Sequence, residues 1–83
     1  MTILDLDNGA RFKVKGVKIP REVGKRLADM GFVRGAEGYV VRSALLGDPL
    51  QIKICRYDVS IRRTEASGVE VELLPSGIKG TVV

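Results

Sequence analysis

Few side chains in this sequence could do chemistry, and none of them has company. Cys55 is the only thiol. It follows the alternating run Leu50-Gln51-Ile52-Lys53-Ile54, which places it opposite the Leu50/Ile52/Ile54 face and beside Gln51 and Lys53. An ammonium group near a thiol favours the nucleophilic thiolate, but activation also needs a base and a group to orient it. Neither accompanies Cys55, so it reads as an inert or packing residue. The sequence has no histidine, which removes the usual general base and the commonest transition-metal ligand. Ser43, Ser60, Ser67 and Ser76 stand in no nucleophile motif. Glu70 with Glu72, and Asp5 with Asp7, offer hard oxygen donors only in pairs, whereas a competent metal site needs several convergent ligands. The glycines spell neither a phosphate loop ending in Lys-Ser/Thr nor a dinucleotide fingerprint. The expectation is a non-enzyme with no catalytic, metal or cofactor site.

What remains is shape and charge. Residues 44–49, Ala-Leu-Leu-Gly-Asp-Pro, separate two strand-like runs, Tyr39–Ala44 and Leu50–Ile54. Gly47 tolerates positive φ, Asp48 can bond nearby backbone, and Pro49 fixes φ and removes a donor. This reversal predicts a hairpin whose tip carries Leu45 and Leu46. The formal charge is +4, and half of the 14 cations fall between Arg11 and Arg26, opposed there only by Glu22. Such a stretch suits nucleic acid, an anionic membrane surface or an acidic protein partner; it equally suits a solvated face that keeps the protein soluble. Base stacking needs aromatic platforms, and the sequence has only Phe12, Phe32, Tyr39 and Tyr57. Phosphate contact alone would be weak and salt-sensitive.

The positioning elements follow from periodicity. Asn8-Gly9 is a strong turn dipeptide, after which Ala10, Phe12 and Val14 alternate with Arg11, Lys13 and Lys15 as a strand that Gly16 closes. Pro20 is expected to open a helix at its first position. Val23, Leu27 and Met30 give that helix one apolar stripe, and Glu22 stands in position to pair with Arg26. Gly24 in its interior suggests a close backbone contact. Gly31 is placed to end the helix in the left-handed conformation, with Phe32 packing back on Leu27. Further on, Arg56-Tyr57-Asp58 reads as a reversal, Val59 and Ile61 point inward, Thr64-Glu65-Ala66 makes one helical turn, and Val69–Leu73 alternates strictly. Five short strands, one α-helix and a short helical turn predict a mainly β fold, a small closed or nearly closed barrel.

Eighty-three residues make one domain. The reading assigns residues 1–74 to the barrel and 75–83 to a tail, which either frays or adds an edge strand. The lone cysteine excludes an intramolecular disulfide, and no leader or membrane-length apolar run is evident, so the expected location is the cytoplasm.

The order of the motifs resembles the FeoA family, ferrous iron transport protein A, over roughly residues 2–73. The match runs through Leu4-Asp5-Leu6, Asn8-Gly9, Lys25-Arg26-Leu27-Ala28-Asp29-Met30-Gly31-Phe32 and Gly35. It continues with Ala44, Leu46-Gly47-Asp48-Pro49, Ser60-Ile61-Arg62-Arg63-Thr64-Glu65-Ala66 and Val69-Glu70-Val71. The resemblance implies an SH3-like β-barrel without catalytic activity, acting on the cytoplasmic part of the FeoB-type membrane transporter. It also brings in related domains of iron-dependent repressors, hence a metal-responsive alternative, and ferrous iron as a ligand by family likeness only. Leu45 stands where many members carry proline, which makes the tip more apolar. A glycine common between the third and fourth strands is replaced within Arg56-Tyr57-Asp58. The candidate partner-binding residues are therefore the tip Leu45, Leu46, Gly47, Asp48 and Pro49, with Met30, Gly31, Arg62 and Arg63 as neighbours. Besides the transporter, a second copy of the chain is a possible partner, the membrane is touched at most peripherally, and no specific nucleic acid is expected. A basic nucleic-acid-associated barrel is the remaining alternative.

Overall fold

Alternating apolar and polar residues build the sheet that dominates the computed structural model, which describes residues 1–43 and 48–75. The strands are β1 (Arg11–Val17), β2 (Glu37–Arg42), β3 (Leu50–Ile54), β4 (Tyr57–Ile61) and β5 (Val69–Leu74). They lie in the order β4-β3-β2-β1-β5, every neighbouring pair antiparallel. Their inward residues, among them Phe12, Val14, Val40, Ile52, Ile54, Ile61 and Val71, form one core with Ile3, Leu27, Phe32 and Ala66. Burying each large apolar side chain of this kind is worth about 1.5–3 kcal/mol, most of it offset by the entropy of ordering the chain.

The sheet is curled by two register shifts. One lies between Val14 and Gly16 where β1 meets β5, the other between Val40 and Arg42 where β2 meets β3. An extra residue on one strand bends it and increases its twist. The four-residue helix α2 (Arg63–Ala66) carries the chain from β4 to β5, the two ends of the sheet order. The N-terminus covers part of β5: the Val71 N–H donates to the Met1 carbonyl (2.9 Å), Thr2 bridges to Glu70, and a 3-10 turn (Ile3–Asp5) drops Ile3 into the core. The fold is mainly β, as expected.

The helix α1 (Arg21–Asp29) ends as its sequence requires. Gly31 has φ +110°; the Gly31 N–H donates to Ala28 O (3.0 Å) and the Phe32 N–H to Leu27 O (3.0 Å). This is the two-bond stop that glycine permits, with Phe32 and Leu27 both in the core.

Several expectations need correction. Gly16 does not close β1, because β5 continues the ladder and pairs Gly16 with Glu70 and Val17 with Val69. Pro20 precedes α1 rather than opening it, and its carbonyl accepts from the Gly24 N–H (2.9 Å). Gly24 has no tight neighbour: a Cβ there would stand 3.8 Å from Ile19 and Val17, an ordinary contact. The β3–β4 reversal is a two-residue loop of Cys55 and Arg56, between paired Ile54 and Tyr57. Both loop residues hold positive φ, 51° and 72°, as the tight hairpin loop matching strand twist requires. Cys55 is therefore in a turn and not on the strand face beside Gln51 and Lys53.

Candidate functional site

The sequence Arg62-Arg63-Thr64-Glu65 folds back on itself. The Glu65 side chain reaches the residue three positions before it, and its Oε1 accepts from the Arg62 backbone N–H (2.9 Å). That satisfies one of the donors every helix N-terminus leaves open. Oε2 pairs with the Arg26 guanidinium from α1. Glu65 is only 8% exposed, and a buried carboxylate is tolerable when it is hydrogen-bonded and charge-paired, as here. Arg26 thus takes Glu65, and not the expected Glu22, as its ion-pair partner. The next open donor of α2, the Arg63 N–H, donates to Asp48 Oδ1 (3.0 Å). Two carboxylates from different parts of the chain cap one short helix.

Around these contacts lies an open hollow of about 490 Å³, lined by Arg26, Asp48, Pro49, Ser60, Arg62 and Glu65. Antiparallel pairing explains why it forms. Leu50 lies opposite Ile61, so the residues just before Leu50 and just after Ile61 meet at the same end of the sheet. Asp48, Pro49, Arg62 and Arg63 are brought together in this way. Leu45, Leu46 and Gly47 lie outside the described residues.

Met30 and Gly31 are elsewhere. A Cβ on Gly31 would stand 3.4 Å from Cys55 Sγ and 3.5 Å from Ile54, at the end of β3 away from Pro49. The Cys55 thiol donates weakly to the Gly31 carbonyl (3.9 Å), and Met30 packs half-buried against the core. These two residues stop α1 and seat the β3–β4 hairpin; the Leu45-Leu46 tip they were expected to neighbour lies outside the described residues. Arg26, Glu65 and Ser60 line the hollow and were not among the candidate partner-binding residues. Only Glu65 left a local signal, its spacing of three from Arg62, which matches half of a capping box.

Charge placement changes the meaning of the basic stretch. The register sets Lys13 opposite Glu72, so the cationic β1 lies against the acidic outer face of β5. Lys15 pairs with Glu72 (3.9 Å), Lys18 with Glu70 (3.4 Å) and Arg11 with Glu37 (3.6 Å). Lys53, the cation expected beside the thiol, pairs with Asp58 (3.7 Å). Among the described residues no three acidic, cysteine or histidine side chains converge as a metal site would need.

The family model for the FeoA domain matches residues 1–73. The chain belongs to the FeoA family. A curated relative, an Fe(2+) transport protein A/Fe(2+) transporter FeoB fusion protein of Porphyromonas gingivalis, is 38% identical over 76 residues, covering 92% of this chain. This chain spans only 9% of that fusion protein. The solution structure of the FeoA protein from Chlorobium tepidum superposes with a TM-score of 0.83 at 39% identity, covering 90% of this chain and 71% of the other. The crystal structure of Stenotrophomonas maltophilia FeoA, a prokaryotic SH3 domain protein complexed with zinc, gives 0.78 at 28% identity, covering 87% and 89%. The curled five-stranded sheet is accordingly SH3-like.

Proposed function

We propose that this chain is a non-catalytic accessory domain of ferrous iron transport that docks on the cytoplasmic part of a FeoB-type membrane transporter. Family membership and the fusion support the role in ferrous iron transport. The observation that carries the docking is the fusion itself: in one relative a domain like this one is covalently part of a transporter, so the two work in proximity. The docking surface is the end of the sheet around Asp48, Pro49, Arg62 and Arg63; Leu45 and Leu46, expected from the sequence to belong to it, lie outside the described residues. The support of that surface favours this, since the Arg62 and Arg63 N–H groups at the start of α2 are held by Glu65 and Asp48. No helix among the described residues is long and apolar enough to cross a membrane, so contact with the transporter would come through its water-exposed part. Iron is here the transporter's cargo and not a resident ligand of this chain. Titration with ferrous ion under anaerobic conditions is expected to show no tight site; a stoichiometric one would revive the metal-responsive reading.

The test is binding of the purified cytoplasmic part of the ferrous iron transporter from the same organism to wild type and to a Leu45→Asp/Leu46→Asp double variant. The wild type is expected to bind and the variant, folded by circular dichroism, to bind at least about tenfold more weakly. Absence of wild-type binding sinks the docking proposal; equal binding by the variant removes the tip from it.

A further inference from the structure

The hollow at the end of the sheet has a charge asymmetry that specifies its occupant. It contains two carboxylates, but both are committed to the chain's own donors. Asp48 Oδ1 holds the Arg63 N–H, while Glu65 holds the Arg62 N–H and the Arg26 guanidinium. The side chains of Arg62 and Arg63 form no ion pair among the described residues, and both residues are exposed. Arg62 lines the hollow together with the exposed Ser60, which adds a hydroxyl donor. The end of the sheet therefore presents the unpaired guanidinium groups of Arg62 and Arg63 beside a Glu65 carboxylate neutralised by Arg26. Asp48, hydrogen-bonded to a neutral N–H, keeps its charge, so three arginines against two carboxylates leave a net positive site.

We infer that this hollow receives an acidic segment of the protein partner, its carboxylates engaged by Arg62 and Arg63. The inference rests on the docking reading above and adds the chemistry of the partner. Guanidinium groups take carboxylates in paired hydrogen bonds, the geometry that makes arginine the preferred cation at such contacts. A nucleic acid fits less well. It needs a track of cations along its backbone, whereas Lys15, Lys18 and Arg11 are tied to Glu72, Glu70 and Glu37 across the sheet. The exposed aromatic Tyr57 lies beyond the other end of β3 from Pro49, too far to serve as a stacking platform here.

Two titrations test this. In the first, the purified cytoplasmic part of the transporter is titrated with wild type, Arg62→Glu/Arg63→Glu and Arg62→Gln/Arg63→Gln. Charge reversal is expected to weaken binding about tenfold or more, neutralisation less, with wild-type affinity falling as salt rises. In the second, a labelled hexaglutamate peptide is titrated into the full chain and followed by amide chemical shifts. Shifts confined to Ser60, Arg62 and Arg63 and abolished in the Gln variant support the inference. If wild type binds the transporter part but both variants bind within twofold of it, the acidic-segment inference falls while the docking reading stands. If wild type binds no transporter part, the docking reading falls and the peptide titration still decides the chemistry. Tighter binding of duplex DNA than of hexaglutamate at equal salt overturns the choice of occupant.

Discussion

Arg56 and Cys55 occupy backbone conformations that L side chains rarely adopt, with φ of 72° and 51°. Holding a side chain there costs about 1–2 kcal/mol, part of which glycine returns as unfolded-state entropy. Arg56→Gly is expected to leave the fold intact and raise stability by up to about 1 kcal/mol, read by urea denaturation; a clear loss would mean that the Arg56 side chain makes a stabilising contact in solution. Gly68 is the opposite case. A Cβ there would meet the Ile19 side chain and stand 3.0 Å from the Lys18 carbonyl, while the Gly68 carbonyl accepts from the Lys18 N–H (2.6 Å). Neither the backbone nor a β-branched neighbour can give way easily. Gly68→Ala should cost about 1–3 kcal/mol in the same measurement, and a neutral result would show that the Lys18–Ile19 segment is free to move off β5.

At the scale of elements, α2 is too short to be stable by its own hydrogen bonds and depends on its caps. Removing Glu65 leaves the Arg62 N–H without its acceptor and the Arg26 guanidinium without its partner. Glu65→Ala is expected to destabilise by about 2–3 kcal/mol, and Glu65→Gln by less, because the amide oxygen still accepts. Asp48→Ala should cost about 1 kcal/mol. Faster amide exchange at Arg63 alone is expected for Asp48→Ala, and at Arg62 for Glu65→Ala. Unchanged exchange in either variant would contradict the capping roles. The helical turn at Thr64–Ala66 was legible because Arg-Thr-Glu-Ala is a helix-compatible run. Its capping by Asp48 was not, because a side chain from the loop before β3 leaves no periodic trace.

At the scale of the molecule, cross-strand ion pairs turn a lopsided linear charge pattern into a mixed surface. Lys15–Glu72, Lys18–Glu70, Arg11–Glu37 and Lys53–Asp58 are all solvent-exposed, so each is worth roughly 0–1 kcal/mol and is screened by salt. Their larger consequence is to interrupt the basic run along β1, where Arg11 and Lys15 are paired while Lys13 forms no ion pair among the described residues. In a low-salt gel assay the chain is expected to leave duplex DNA unshifted; a shift requiring Lys13, Lys15, Lys18 and Lys25 would restore the nucleic-acid alternative.

The amino-acid pattern alone determined the inward faces and the end of α1 at Gly31. Each depends on neighbours in sequence: alternation sets a strand's face, and a glycine sets a helix stop. Tertiary structure alone decided the partners. Arg26 had Glu22 within easy reach, yet chose Glu65, because folding buries that carboxylate and an unpaired buried charge costs far more than an exposed pair gains. Met30 and Gly31 were parted from Arg62 and Arg63 by the length of β3, and the basic strand met the acidic one, because strand order and register are properties of the whole sheet.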